Sequence, residues 1–171
     1  TIACASCHKQ NHGFSDPNRL SLGVEGRPGL RSSMSLVNLA LLETGFFWDG
    51  RSSSLEHQAI FPILDTLEMD QDTTTLIQAL KGDSRYRRLF REAFGTDEIN
   101  TDKVTKALAQ FQRSILSFDS KFDRYLRGEE ELSADEKRGM ELFYQHPYPE
   151  QRLRGGNCGD CHSGFFQTDN A

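Results

Sequence analysis

Hydrophobic residues in this chain recur at helical intervals and do not alternate. Val104, Leu108, Phe111 and Ile115 form a stripe three or four residues apart. That spacing predicts the longest helix, opening after Asn100 or Thr101. Phe122, Tyr125 and Leu126 add another turn or two before Gly128. Thr73–Lys81 is predicted as a short helix closed by Gly82, and Arg85–Phe94 as another, capped by Asp83 or Ser84 and ended by Gly95. Ser133-Ala-Asp-Glu136 reads as a capping box opening a helix with Leu142 and Phe143 on its buried side. A helix from Ser53 or Ser54 through Ile60 is expected to stop at Pro62.

The remaining stretches lack that rhythm. Residues 9–35 are rich in Gly, Ser, Pro and Asn and predict a long irregular segment, which in a compact domain is usually functional or disordered. Residues 36–50 bring apolar and aromatic side chains, ending Phe46-Phe47-Trp48-Asp49-Gly50. A Pro-interrupted linker, 145–157, comes after the last helix. With no strand pattern of any length, the fold is expected to be mainly α.

Composition narrows the class. At 171 residues the chain can hold one core, or one domain and the start of another. The net charge of −5 counts against a nucleic-acid partner and permits an encounter with a basic protein. No run of eighteen apolar residues occurs, so no membrane-spanning helix is predicted.

The chemistry lies in two five-residue stretches. Cys4-Ala-Ser-Cys7-His8 and Cys158-Gly-Asp-Cys161-His162 both read Cys-x-x-Cys-His, the attachment pattern of a c-type haem. Two thiols at this spacing add across the two vinyl groups of one porphyrin, and the histidine becomes the iron's proximal ligand. Two disulfides or one four-thiolate zinc site would use the same four cysteines. A histidine directly after each pair favours two covalent haems. Haem is attached outside the cytoplasm, which predicts a periplasmic protein. The motifs begin at residues 4 and 158, so a middle piece of a longer chain is expected, with most of a first haem domain and the opening of a second.

Between the motifs stand Arg31-Ser-Ser-x-Ser-Leu-x-Asn38, Phe47-Trp-Asp-Gly-Arg-x-x-Ser-Leu55, Gln58, Leu67-Glu-Met69 and Phe122-Asp-Arg-Tyr-Leu-x-Gly128, in that order. This series resembles the bacterial di-haem cytochrome c peroxidases, a family that includes the MauG-type methylamine-utilisation enzymes. The resemblance covers essentially the whole chain. It implies two cytochrome c-like helical haem domains with long loops around the haem. The first, 1–132, would be peroxidatic and nearly complete. The second, 133–171, would be the electron-transfer domain, only begun here. The implied function is a periplasmic peroxidase that reduces hydrogen peroxide to water with electrons from a small cytochrome c or cupredoxin. The alternatives are a MauG-type enzyme oxidising a partner protein, and a multihaem electron carrier without catalysis. A homodimer is left open.

The resemblance also assigns roles. Glu68 matches the distal glutamate, and a carboxylate whose pKa is lifted by partial burial can take and return the peroxide protons. Gln58 matches a distal glutamine that orients peroxide. Trp48 matches a tryptophan between the haems, expected to be packed in place and in the path of electrons. Arg51 is either a partner for a haem propionate or a surface arginine. His12, His57 and His146 carry no such pattern. Two positions depart from the better-known peroxidases. Val24 stands where those place a removable histidine ligand, and Ser32 where an asparagine serves a calcium site. Both departures count against ligand switching and against calcium.

Overall fold

The computed structural model describes residues 2–42 and 45–162. They form seven helices: α1 (Cys4–Cys7), α2 (Leu55–Leu64), α3 (Thr73–Gly82), α4 (Ser84–Phe94), α5 (Thr101–Arg113), α6 (Lys121–Leu126) and α7 (Ala134–Tyr144). No strand occurs among the described residues; extended backbone pairs only at isolated bridges such as Lys9 with Ser15 and Phe46 with Ser52. None of these helices is long and apolar enough to cross a membrane. The fold is mainly α, as the hydrophobic rhythm predicts.

The chain divides into two compact units, residues 1–116 and 117–171. The haem-domain boundary expected at 132/133 is a separate assignment; the compact division groups α6 with α7. In the first unit α2 packs on α5, and Phe46, Leu55 and Ala109 form a core joined by Leu39 and Leu42. A second cluster, Phe90, Ile99 and Val104, gathers Leu76, Ile77, Leu80 and Phe94 from α3 and α4. A bidentate ion pair ties the two central helices: the Arg113 guanidinium donates to the Glu56 carboxylate at 2.7 and 3.0 Å.

Helix starts obey the sequence signals. Ser54, Asp72, Asp83 and Asn100 each accept a backbone N–H of the following turn, satisfying donors that the helix itself leaves free. Gly95 ends α4 at φ 72°, a left-handed position that glycine adopts without steric cost.

Two expectations need correction. First, α2 does not stop at Ile60 but continues through Pro62 to Leu64. Proline forfeits only its own N–H, and the buried pair Ala59 and Ile63 holds the face in register. The next carbonyls find donors beyond the helix: Phe61 accepts from Asp65, Pro62 from Met69 and Ile63 from Gln71. Second, α5 does not bury the whole predicted stripe. Its buried residues are Val104, Thr105, Ala109 and Gln112, while Phe111 is 57% exposed and lies on a cavity wall.

In the second unit, Ser120 and Ser133 open α6 and α7 with capping boxes. Glu136 accepts from the Ser133 N–H at 2.7 Å and the Lys121 ammonium at 2.6 Å, joining the two helix starts. Leu142 and Phe143 are half-buried rather than buried.

Candidate haem and peroxide site

The turn Cys4–Cys7 is a single helical loop closed by the His8 N–H donating to the Cys4 carbonyl at 2.8 Å. Residues 9–15 then fold back tightly, the Phe14 N–H donating to the Lys9 carbonyl at 2.9 Å. Phe14 sits at φ 58°, an uncommon conformation for a bulky residue. The result aims the Phe14 carbonyl at the His8 ring, whose Nδ1–H donates to it at 2.9 Å. Because a carbonyl only accepts, Nδ1 carries the proton and Nε2 presents its lone pair. Such a partner fixes the ring and raises its basicity as a metal ligand.

Asp16 braces this loop. Its carboxylate accepts from the Asn18 backbone N–H at 3.0 Å, the Asn18 amide at 2.9 Å and the Lys9 ammonium at 3.1 Å. The Asn18 N–H above all holds the Asp16 carboxyl below the usual carboxylate range. The Cys7 thiol donates to the Leu22 carbonyl at 3.6 Å, and partial burial pushes it up.

Beside this turn opens a cavity of about 380 Å³. The structure brings Cys4, Cys7, His8, Trp48, Gln58 and Glu68 to its walls. Helix α2 contributes Gln58, and the turn after α2 contributes Glu68. That turn is held on α2 by the Met69 N–H donating to the Pro62 carbonyl, 3.2 Å, and by the Glu68 N–H donating to Asp65, 3.1 Å. Glu68 is exposed, yet desolvation by the groups around it pushes its carboxyl up. Asp65 reinforces that shift and Arg51 opposes it.

Trp48 is not core filler. It is 61% exposed and tethered through its indole N–H, which donates to the Ser32 carbonyl at 2.9 Å. Phe46, two residues earlier, takes the core position instead. Arg51 stacks its guanidinium 3.5 Å from the Phe47 ring centroid and pairs with Asp49 at 2.7 Å, and Asp49 also receives Arg31 at 3.1 Å. His57 has a structural task, pairing its Nδ1 with the buried Ser52 hydroxyl at 3.0 Å. His146 faces Asp160 at 3.3 Å. Val24 is fastened to the site by main chain: its N–H donates to the Glu68 carbonyl at 2.7 Å.

The structure also adds residues that the sequence did not single out. Gln112 is 8% exposed, lines the cavity, and its side-chain oxygen has no hydrogen-bond partner. Gly23 and Arg27 dock on the Glu68 turn. The second motif, Cys158, Cys161 and His162, forms its own turn in the second unit, again closed by the histidine N–H donating to the first cysteine carbonyl, 2.8 Å.

A haem fits what is present. Two cysteines and an imidazole with its outer nitrogen engaged share one largely apolar cavity. A helical unit with a Cys-x-x-Cys-His turn and a carboxylate on one cavity defines a haem-binding class of fold. The family model for di-haem cytochrome c peroxidases matches residues 1–131, and the chain belongs to that family. It is 37% identical over 171 residues to the methylamine utilization protein MauG of Methylophilus methylotrophus, covering 99% of this chain and 49% of that one. It is 32% identical over 164 residues to cytochrome c551 peroxidase of Nitrosomonas europaea, covering 95% and 46%. The crystal structure of a MauG-like protein associated with microbial copper homeostasis is similar, with a TM-score of 0.87 at 29% identity, covering 99% of this chain and 48% of that one. The chain spans about half the length of the curated relatives it matches.

Proposed function

We propose that the whole protein is a periplasmic di-haem peroxidase reducing hydrogen peroxide to water, with electrons from a small cytochrome c or cupredoxin. Residues 1–132 serve as its peroxidatic domain, and residue 133 begins its electron-transfer domain. The single observation that carries this reading is Glu68, a carboxyl pushed up in pKa on the same cavity as Cys4, Cys7 and His8. A non-catalytic carrier has no use for such a group.

The haem, when bound, supplies the iron centre for peroxide and the store of electrons. The chain's residues supply the rest. Cys4 and Cys7 would hold one porphyrin as thioethers, and Cys158 and Cys161 a second. His8 would offer Nε2 to one iron, and His162 a ring nitrogen to the other. The Phe14 carbonyl keeps the His8 proton on Nδ1. The Glu68 carboxylate takes the proton from one peroxide oxygen and returns it to the other, which leaves as water. A raised pKa suits that exchange, since the group must bind and release a proton near neutral pH. The Gln58 amide orients the peroxide. Trp48, held at the rim by Ser32, lies on the route of electrons. Calcium is not part of the proposal: the Ser32 hydroxyl donates to the Asp16 carbonyl at 3.3 Å.

Glu68→Gln tests the reading in the haem-loaded full-length protein. Peroxide turnover is expected to fall about a hundred- to ten-thousand-fold with haem content intact. Full turnover would remove Glu68 from the mechanism.

A MauG-type role, oxidising a partner protein, is favoured by the higher identity to MauG, 37% against 32% for the peroxidase. Val24 also has no lone pair to offer iron. The oxidised full-length protein is therefore expected to bind cyanide without prior reduction. Cyanide binding only after reduction would show that another residue caps the iron.

A further inference from the structure

The segment 21–29 and the turn 65–70 are fastened together at three places. At Gly23 the backbones lie so close that a Cβ would stand 1.8 Å from the Leu67 carbonyl oxygen and 2.6 Å from that of Glu68. Next to it, the Val24 N–H donates to the Glu68 carbonyl at 2.7 Å. The Arg27 guanidinium donates to the Thr66 carbonyl at 2.6 Å and to the Asp70 carboxylate at 3.1 Å, and keeps Glu25 at 3.0 Å.

The segment is closed on itself, with Gly23 N–H donating to the Arg27 carbonyl and Gly29 N–H to that of Ser21, both at 2.8 Å. It therefore moves or stays as one piece. The turn has its own bonds to Asp65 and to α2, and like the segment, with Glu25 at φ 58°, it carries a left-handed residue, Asp70 at φ 47°. The planar guanidinium fork serves a main-chain carbonyl and a carboxylate on the turn while keeping a carboxylate on its own loop. Arg27 is half-exposed, so its ion pairs are screened; its charge-assisted bond to the Thr66 carbonyl also crosses from loop to turn.

We propose that Arg27 is a positioning residue for Glu68: it staples the 21–29 loop onto the 65–70 turn and so fixes where the carboxylate enters the cavity. This rests on the reading of Glu68 as the proton-transfer group.

The test compares wild type, Arg27→Gln, Arg27→Lys and Glu68→Gln as haem-loaded full-length proteins. Amide hydrogen exchange is measured in peptides spanning 21–29 and 64–71, together with kcat and KM for peroxide. Arg27→Gln is expected to speed exchange in both segments and to lower kcat about ten- to a hundred-fold, the scale of a small misplacement of a reacting group. Arg27→Lys is expected to fall between it and wild type. Glu68→Gln is expected to lower turnover about a hundred- to ten-thousand-fold at wild-type exchange rates. Wild-type exchange in Arg27→Gln overturns the staple. Faster exchange with unchanged kcat overturns the positioning role. Where Arg27→Gln does not fold, Arg27→Lys decides: wild-type exchange and kcat in it overturn the proposal. Turnover within about tenfold of wild type in Glu68→Gln overturns the reading of Glu68 itself, and the exchange rates tell that failure from failure of the staple.

Discussion

The two Cys-x-x-Cys-His turns share a backbone closure, and different stretches of chain pack against each. In each, the histidine N–H donates to the first cysteine carbonyl at 2.8 Å. The first turn is held by chain on its C-terminal side: the 9–15 loop aims a carbonyl at His8, and Leu22 receives Cys7. The second is held, among the described residues, by chain on its N-terminal side. The Gly156 N–H donates to the Leu142 carbonyl at 2.7 Å and the Asn157 N–H to that of Gln145 at 3.2 Å. Gly155 lies so close to Gln145 that a Cβ would stand 1.8 Å from its carbonyl oxygen. The pentapeptide thus encodes a local turn, and neighbouring chain decides what surrounds it.

The largest expected effect tests whether the two turns load independently. In the full-length protein, Cys4→Ala with Cys7→Ala, and separately Cys158→Ala with Cys161→Ala, should each lower the covalent haem count from two to one by intact mass. Loss of both haems from either variant would show that the turns mature together. Next, Leu55→Ala removes a side chain only 2% exposed from the core behind the first cavity and should cost about 2–5 kcal/mol. Denaturant unfolding of the first unit's helices should register it; a cost under about 1 kcal/mol would place the support of that turn elsewhere.

Asp16→Asn is a smaller test of the loop behind His8. The Asp16 side chain is buried, while the Lys9 ammonium that pairs with it is about a third exposed. Loss of its charged bonds should therefore cost about 1–2 kcal/mol. Its folded pKa lies below the ordinary value of 3.8, so its contribution is present above that pH and drains as pH falls through the folded value. The stability gap between wild type and variant should then close below about pH 4, and a constant gap would argue against the ion pair. The smallest effect is expected from Arg113→Met. The Glu56 pair is partly open to water, so breaking it should cost about 1 kcal/mol at most and shrink further in high salt.

What was legible in the sequence was local. The helix starts at Ser54, Asp83, Asn100 and Ser133 rest on a side chain and a backbone N–H a few residues apart, so composition exposes them. The haem turns were legible for the same reason. Pro62 misled because its cost is local while the packing of Ala59 and Ile63 that overrides it is not. Trp48 misled because residue size suggested burial, whereas the turn Phe46–Gly50 points Phe46 inward. The staple left no signal at all. Gly23 has φ −86°, ordinary for any residue, and its need for a bare backbone comes from the Leu67–Glu68 turn. Arg27 finds Thr66 across 39 residues of chain.

The group that orients His8 belongs to the main chain, and this decides which methods can detect it. An alanine scan through residues 9–16 would leave the Phe14 carbonyl in place. Replacements at position 14 would be sorted by tolerance of φ 58°, with Gly and Asn accepted and β-branched residues rejected, whatever their chemistry. A genetic screen would thus score the position as a matter of backbone shape and pass over its electronic task. Exchanging the Phe14–Ser15 amide for an ester weakens that acceptor directly, at the added loss of the Ser15 N–H that donates to His12. Semisynthesis, rather than mutagenesis, is the tool that reaches it.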